Sequence, residues 1–155
     1  ILSPRGTPLT QKLVEELAAE EKLTILCGRY EGVDQRLLDA YDVEEISIGD
    51  YILTGGEQAA MILLDAVVRQ LPEVLGNAGT HDEESFTHGL LEYPHYTRPA
   101  VWTDPQGVAR AVPDVLTSGH HANIVKWRRQ QSEDLTKARR PDLWAAYQGK
   151  KDGNR

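Results

Sequence analysis

Apolar and polar positions along this chain follow two periods. Leu13, Val14, Leu17 and Ala18 form one stripe at helical spacing, opposite Glu15, Glu16 and Glu20. Thr7-Pro8 suits the start of that helix, with threonine as cap and proline in the first turn. Leu23 to Cys27 is a short apolar run of strand type, closed by Gly28. Val33 to Tyr41 reads as a second helix, and Glu45 to Ile48 as another strand closed by Gly49. Glu57 to Leu71 is a third, almost wholly apolar helix, stopped by Pro72. Strands alternating with helices predict a mainly parallel sheet covered on both faces.

Beyond Pro72 the pattern fades. The stretch to Thr97 is polar, with Gly76, Asn77, Gly79 and the cluster Asp82-Glu83-Glu84, and reads as a linker or active-site loop. After Gly119, residues 120–137 and 141–148 read as helices, basic on one side. The predicted organisation is an α/β part over 1–75, a loop segment over 76–97 and a helical part over 98–155.

Composition narrows the class. At 155 residues, 40% hydrophobic and 26% charged, the chain suits one domain with a small appendage. A single cysteine, Cys27, excludes an internal disulfide and a cysteine-based zinc site, and fits a reducing cytoplasm. Cys27 ends the predicted buried strand and reads as a small core residue. The longest apolar run, Ala59 to Val68, is broken by Asp65 and too short to cross a bilayer, so no membrane is expected. The chain opens at Ile1-Leu2-Ser3-Pro4 like the end of a strand running into a loop, which leads us to expect further sequence upstream.

The net charge of −7 argues against a nucleic-acid binder until it is divided. Residues 1–80 hold 6 basic against 14 acidic side chains, and residues 81–117 hold 2 against 6. Residues 118–155 reverse this with 9 against 4. A basic tail on an acidic body suggests a polyanion partner for the tail.

Three loops stand at the ends of strands: Leu2-Ser-Pro-Arg-Gly-Thr7, Gly28-Arg-Tyr-Glu-Gly32 and Ile48-Gly-Asp-Tyr-Ile-Leu53, the last reaching Gly56. In open α/β sheets such loops converge on a ligand, and glycine lets it approach the backbone. None carries a dinucleotide or P-loop fingerprint. Arg69, near the end of an apolar helix, either snorkels or aims a charge into a pocket. Glu83 and Glu84 read equally as a solvated cluster. The histidines His81, His88, His95, His120 and His121 lack metal-binding spacing, and His120-His121 suit a helix start. Trp127 among Lys126, Arg128 and Arg129 is both a candidate core aromatic and part of a phosphate-gripping helix.

The stretches "LSPRG", "CGRYEGVDQR", "SIGDYILTGGEQAAMILLDAVVR", "VLGN", "EESF", "PHYTRP" and "VPDVLTSGHHANIVKWR" together resemble the bacterial tRNA (guanine-N1)-methyltransferase family. The resemblance is collinear from Leu2 to about Trp144. It implies a SPOUT-type α/β fold with a deep trefoil knot around Gly28 and Ser47–Gly56, its N-terminal part missing from this chain, plus a small all-α C-terminal domain. It further implies a cytoplasmic homodimer that methylates guanosine 37 of tRNA with S-adenosylmethionine. Magnesium dependence is suggested too, with no ligand cluster to assign to it.

Positions matching the family's cofactor site are Pro4, Gly28, Glu31, Ser47, Ile48, Gly49, Asp50, Tyr51, Ile52, Leu53, Gly55 and Gly56. Arg69 falls on the family's catalytic arginine. Glu84 falls where the family usually has a catalytic aspartate, one methylene shorter, and Glu83 is a secondary candidate. Lys126, Arg128 and Arg129 are the expected tRNA contacts. The alternatives are a related knotted enzyme acting on ribose 2′-OH and an RNA-binding module without catalysis.

Overall fold

The computed structural model describes residues 1–75 and 83–153. Gly76, Asn77, Gly79, His81 and Asp82 of the predicted loop therefore lie outside the described residues. The chain divides into two units, Ile1–Ala78 and Gly79–Arg155.

In the first unit, β1 (Leu2–Pro8) pairs in parallel with the short β2 (Ile46–Ser47). The parallel pairing agrees with the alternating pattern. Its register slips: Leu2 and Thr7 both lie opposite Ile46, so residues 3–6 bulge between them. The Thr7 N–H donates to the Glu45 carbonyl at 2.8 Å, and the Leu9 N–H to Ser47 at 2.7 Å. Thr7-Pro8 is therefore strand and not helix start. The helix α1 (Gln11–Ala18) begins after Thr10, whose hydroxyl accepts from the Leu13 N–H at 3.3 Å. The ladder to β2 wins over a proline-led helix because it satisfies the Thr7 amide, and Thr10 supplies a cap three residues later.

Asp34 caps α2 (Gln35–Ala40), accepting from the Arg36 N–H at 2.9 Å. The apolar helix α3 (Gly56–Val68) stops before Leu71, where two short i→i+3 bonds, Gln70 to Val67 and Leu71 to Val68, wind the chain down toward Pro72. Val14, Ile46, Leu63 and Val67 form the core, lined by Leu2, Leu9, Leu23 and Ile25.

The segment Leu23–Cys27 corrects the sequence reading. It is no strand: its backbone joins no ladder among the described residues. Its period-two burial survives, with Leu23 and Ile25 turned inward, but a strand also needs a neighbour to share hydrogen bonds. Cys27, which the same alternation would turn inward, is exposed, so the pattern breaks at its end and Cys27 is not the core residue the sequence suggested.

The second unit contains β3 (Val101–Thr103) and β4 (Ala109–Ala111), an antiparallel hairpin. The expected all-helical character of 98–155 is thus incomplete. The signal was the Asp104-Pro-Gln-Gly107 turn. Asp104, buried, accepts from the amides of Gln106 at 3.0 Å and Val108 at 2.9 Å and pairs with Arg110 at 2.7 Å. These bonds, the Val108 amide first, hold its carboxyl below the usual range. The short α4 (Asp114–Thr117) precedes α5 (His121–Arg139), with His120 at its N-cap position, and α6 (Pro141–Gly153) packs on α5.

Candidate functional site

A hollow of about 560 Å³ opens in the first unit where three chain segments meet: residues 1–5, residues 28–33 and the run from Glu45 to Gly56. Its size is that of a small-ligand site. Every one of the twelve expected cofactor positions lines it except Asp50. Asp50 is exposed on the outside of the turn. Arg29 and Tyr30 of the second named loop also line the hollow, as do Leu38 and Glu45, which the sequence did not single out for it.

Local chemistry explains the shape. A Cβ on Gly56 would stand 3.0 Å from the Cys27 Cα and 3.1 Å from the Gly28 nitrogen. Only glycine lets the head of α3 lie this close to that backbone, and the Gly56 N–H donates to the Gly28 carbonyl at 2.9 Å. Gly49, at φ +146°, turns the other wall, and Tyr51 folds beneath it to donate from its hydroxyl to the Ile48 carbonyl at 3.1 Å. The Ser47 hydroxyl accepts from the Gly49 N–H at 3.2 Å. The wall is thus a tight turn of main-chain groups beside Ile48, Tyr51, Ile52 and Leu53.

Charges sit at the rim in pairs. Arg29 binds Glu57 at 2.7 Å, which holds the Glu57 carboxyl below its usual range. Arg5 binds Glu45 at 3.0 Å. The Ser3 hydroxyl and then Arg5 lower the Glu45 pKa.

Arg69 is half-buried and caps the C-terminal end of α3 in the first unit. Glu84 is half-buried in a turn of the second unit. That turn closes through Phe86 N–H to the Leu90 carbonyl at 2.8 Å and Gly89 N–H to Phe86 at 2.9 Å. Glu83, Glu84, His88 and Arg129 border a recess of only about 40 Å³, roughly the volume of one water molecule.

Of the three expected tRNA contacts, Lys126 is exposed on α5. Arg128 binds Glu83 at 3.1 Å and lies 4.6 Å over the Tyr93 ring. Tyr93 donates a short hydrogen bond to the same Glu83 oxygen. Burial, then Glu83, pushes the Tyr93 hydroxyl up to about 12. Arg129 binds Glu133 at 3.0 Å and touches Tyr147. Trp127 is half-buried, edge-on to Tyr96 at 6.1 Å. Among the described residues no group of three His, Cys, Asp or Glu side chains is placed to hold a metal ion, and no helix is long and apolar enough to cross a membrane.

Comparison with known proteins adds a family. A family model described as tRNA (Guanine-1)-methyltransferase TrmD matches residues 1–146. The chain is similar to the tRNA (guanine-N(1)-)-methyltransferase of Cereibacter sphaeroides, 62% identical over 146 residues, covering 94% of this chain and 57% of that protein. The correspondingly named protein of Rhodospirillum rubrum is 61% identical over 146 residues, with 94% of this chain and 59% of the relative covered. That of Ruegeria pomeroyi is 54% identical over 151 residues, covering 97% and 60%. The chain thus spans less than two thirds of the length of these curated relatives.

Proposed function

Because the chain belongs to the tRNA (guanine-1)-methyltransferase family, we propose that it transfers a methyl group from S-adenosylmethionine to N1 of guanosine 37 in tRNA. The observation that carries this reading is the convergence of three glycine-bearing segments on one hollow of about 560 Å³. Its donor set fits the cofactor. Main-chain amides and carbonyls of the Ser47–Gly56 run suit an adenine edge, and Ile48, Tyr51 and Leu53 suit its faces.

Bound S-adenosylmethionine supplies an electrophilic methyl on a sulfonium. Guanine N1 carries a proton at neutral pH, so the chain must provide a base. Glu84 takes that proton as the N1–carbon bond forms and the carbon–sulfur pair returns to sulfur. Arg69 steadies the negative charge that grows on O6. Glu83, the secondary candidate, accepts at its Oε2 from Arg128 and Tyr93.

The same reading includes the knotted SPOUT fold, a cytoplasmic location and a homodimer. Support for the dimer comes from α3, which is apolar on two faces. Ala59, Leu63 and Val67 are buried, while Met61, Leu64 and Val68 form an exposed stripe at 69%, 44% and 42%. A helix apolar all round belongs in an interior. Of the three expected contacts, Arg128 and Arg129 are held in ion pairs and Lys126 is exposed on α5, so Lys126 is the one assigned to tRNA phosphate. Magnesium finds no ligand cluster among the described residues and forms no part of the proposal.

The test is methyl transfer to tRNA with the modified atom mapped, alongside Glu84→Gln at saturating cofactor. We expect methylation at N1 of guanosine 37, and a loss of about a hundredfold or more in Glu84→Gln. Methyl on a ribose oxygen would favour the 2′-O enzyme. A folded protein that binds RNA but not S-adenosylmethionine would favour the non-catalytic module. Near-normal turnover by Glu84→Gln would remove it as the base.

A further inference from the structure

We propose that Arg128 is a positioning residue: through Glu83 and Tyr93 it fixes the turn that carries Glu84, and it makes no phosphate contact. This rests on the reading of Glu84 as the base. Sequence pattern places Arg128 among the tRNA-gripping cations, but its surroundings assign it elsewhere.

Glu83 precedes Glu84 directly, and one of its oxygens, Oε2, takes hydrogen bonds from both Arg128 and Tyr93. The Arg128 guanidinium also stacks over the Tyr93 ring at 4.6 Å. Its Nε is buried, with no hydrogen-bond partner among the described residues. The Arg128 side chain keeps 37% of its surface exposed, but its Nη1 is committed to Glu83 and its plane to the Tyr93 ring.

The turn has a second attachment. The Leu91 N–H donates to the Thr136 hydroxyl at 2.8 Å, and Thr136, fully buried, donates in turn to the Ser132 carbonyl at 2.6 Å. Arg128 and Thr136 lie eight residues apart on α5, roughly 12 Å along the helix axis at 1.5 Å per residue. Two anchors on one rigid helix therefore hold both ends of the segment from Glu83 to Leu91. The Glu92 N–H, one residue past Leu91, also binds the Ser85 hydroxyl at 3.0 Å. Losing Arg128 leaves the turn held at the Leu91 end, and a carboxylate displaced by about 1 Å costs up to a hundredfold in rate.

The experiment compares Arg128→Gln, Arg128→Lys, Glu83→Gln, the Arg128→Gln/Glu83→Gln double variant and Glu84→Gln. It reads single-turnover methyl transfer, KM for tRNA and the salt dependence of tRNA binding. Arg128→Gln should slow transfer about tenfold or more, with KM within about twofold and the salt slope unchanged. Arg128→Lys keeps the charge but not the planar group, so transfer should stay about fivefold slow or worse; it carries the test if the glutamine variant does not fold. The double variant should be no slower than the slower single one. Normal transfer with raised KM and a flatter salt slope overturns the assignment, as does normal transfer by Arg128→Lys or losses that multiply. If Glu84→Gln transfers normally, the base reading fails and this assignment with it. If Glu84→Gln is inactive while Arg128→Gln is normal, the assignment alone fails.

Discussion

Gly6→Ala is the sharpest test of how the hollow is built. Gly6 sits in the bulge of β1, and a Cβ there would stand 2.4 Å from both the Glu45 carbonyl carbon and the Ile46 nitrogen. Those atoms are backbone and cannot swing aside. Restoring contact of about 3.4 Å requires β1 to withdraw by about 1 Å, which carries the 2.8 Å bond from Thr7 and the 2.7 Å bond from Leu9 past useful range. Two such bonds are worth about 1 kcal/mol each, and loosening the cover over Ile46 adds a comparable amount. We expect a loss of about 2–4 kcal/mol, and a melting point lower by about 10 °C or more for a unit of this size. Because β1 and the Glu45–Ser47 run both line the hollow, S-adenosylmethionine affinity should fall about tenfold or more. The assay is thermal unfolding by circular dichroism, with calorimetry of cofactor binding. Gly28→Ala is the control: its Cβ meets nothing closer than Val33 at 3.7 Å, so its melting point should hold. A Gly6→Ala protein that melts within about 2 °C of the parent would refute the steric argument.

If the chain forms the proposed homodimer through the exposed stripe of α3, Met61→Glu should yield monomers in sedimentation velocity; a dimer left intact would mean that this stripe is not the contact. Lys126→Ala should lower the slope of log affinity for tRNA against log salt by about 1, and an unchanged slope would show that it touches no phosphate. Tyr93, pushed up to about 12, keeps its proton in the folded chain while the unfolded chain releases it near pH 10. Its contribution to stability is therefore present below pH 10 and lost as pH rises toward 12, and Glu83→Gln should bring its ultraviolet titration midpoint down.

Local rules made part of this molecule legible. The stripe Leu13, Val14, Leu17 and Ala18 produced α1, and the apolar run after Gly56 produced α3, because helical periodicity is written in neighbouring residues. The collinear motifs that resemble the family, and the three glycine-bearing segments that meet at the hollow, were legible for the same reason. Tertiary contacts decided the rest. Thr7-Pro8 became strand because Glu45 and Ser47, far along the chain, offered carbonyls. Leu23–Cys27 kept its alternation only as far as Leu26 and joined no ladder among the described residues, since pairing belongs to two segments and not to one. Gly6 looks like any loop glycine until Glu45 is packed against it. Arg128 reads as a surface cation until the chain returns Glu83, 45 residues away in sequence, to its side. Pattern reports what a residue prefers within a few turns of backbone; which oxygen its charge finally meets is settled only when distant segments compete for it.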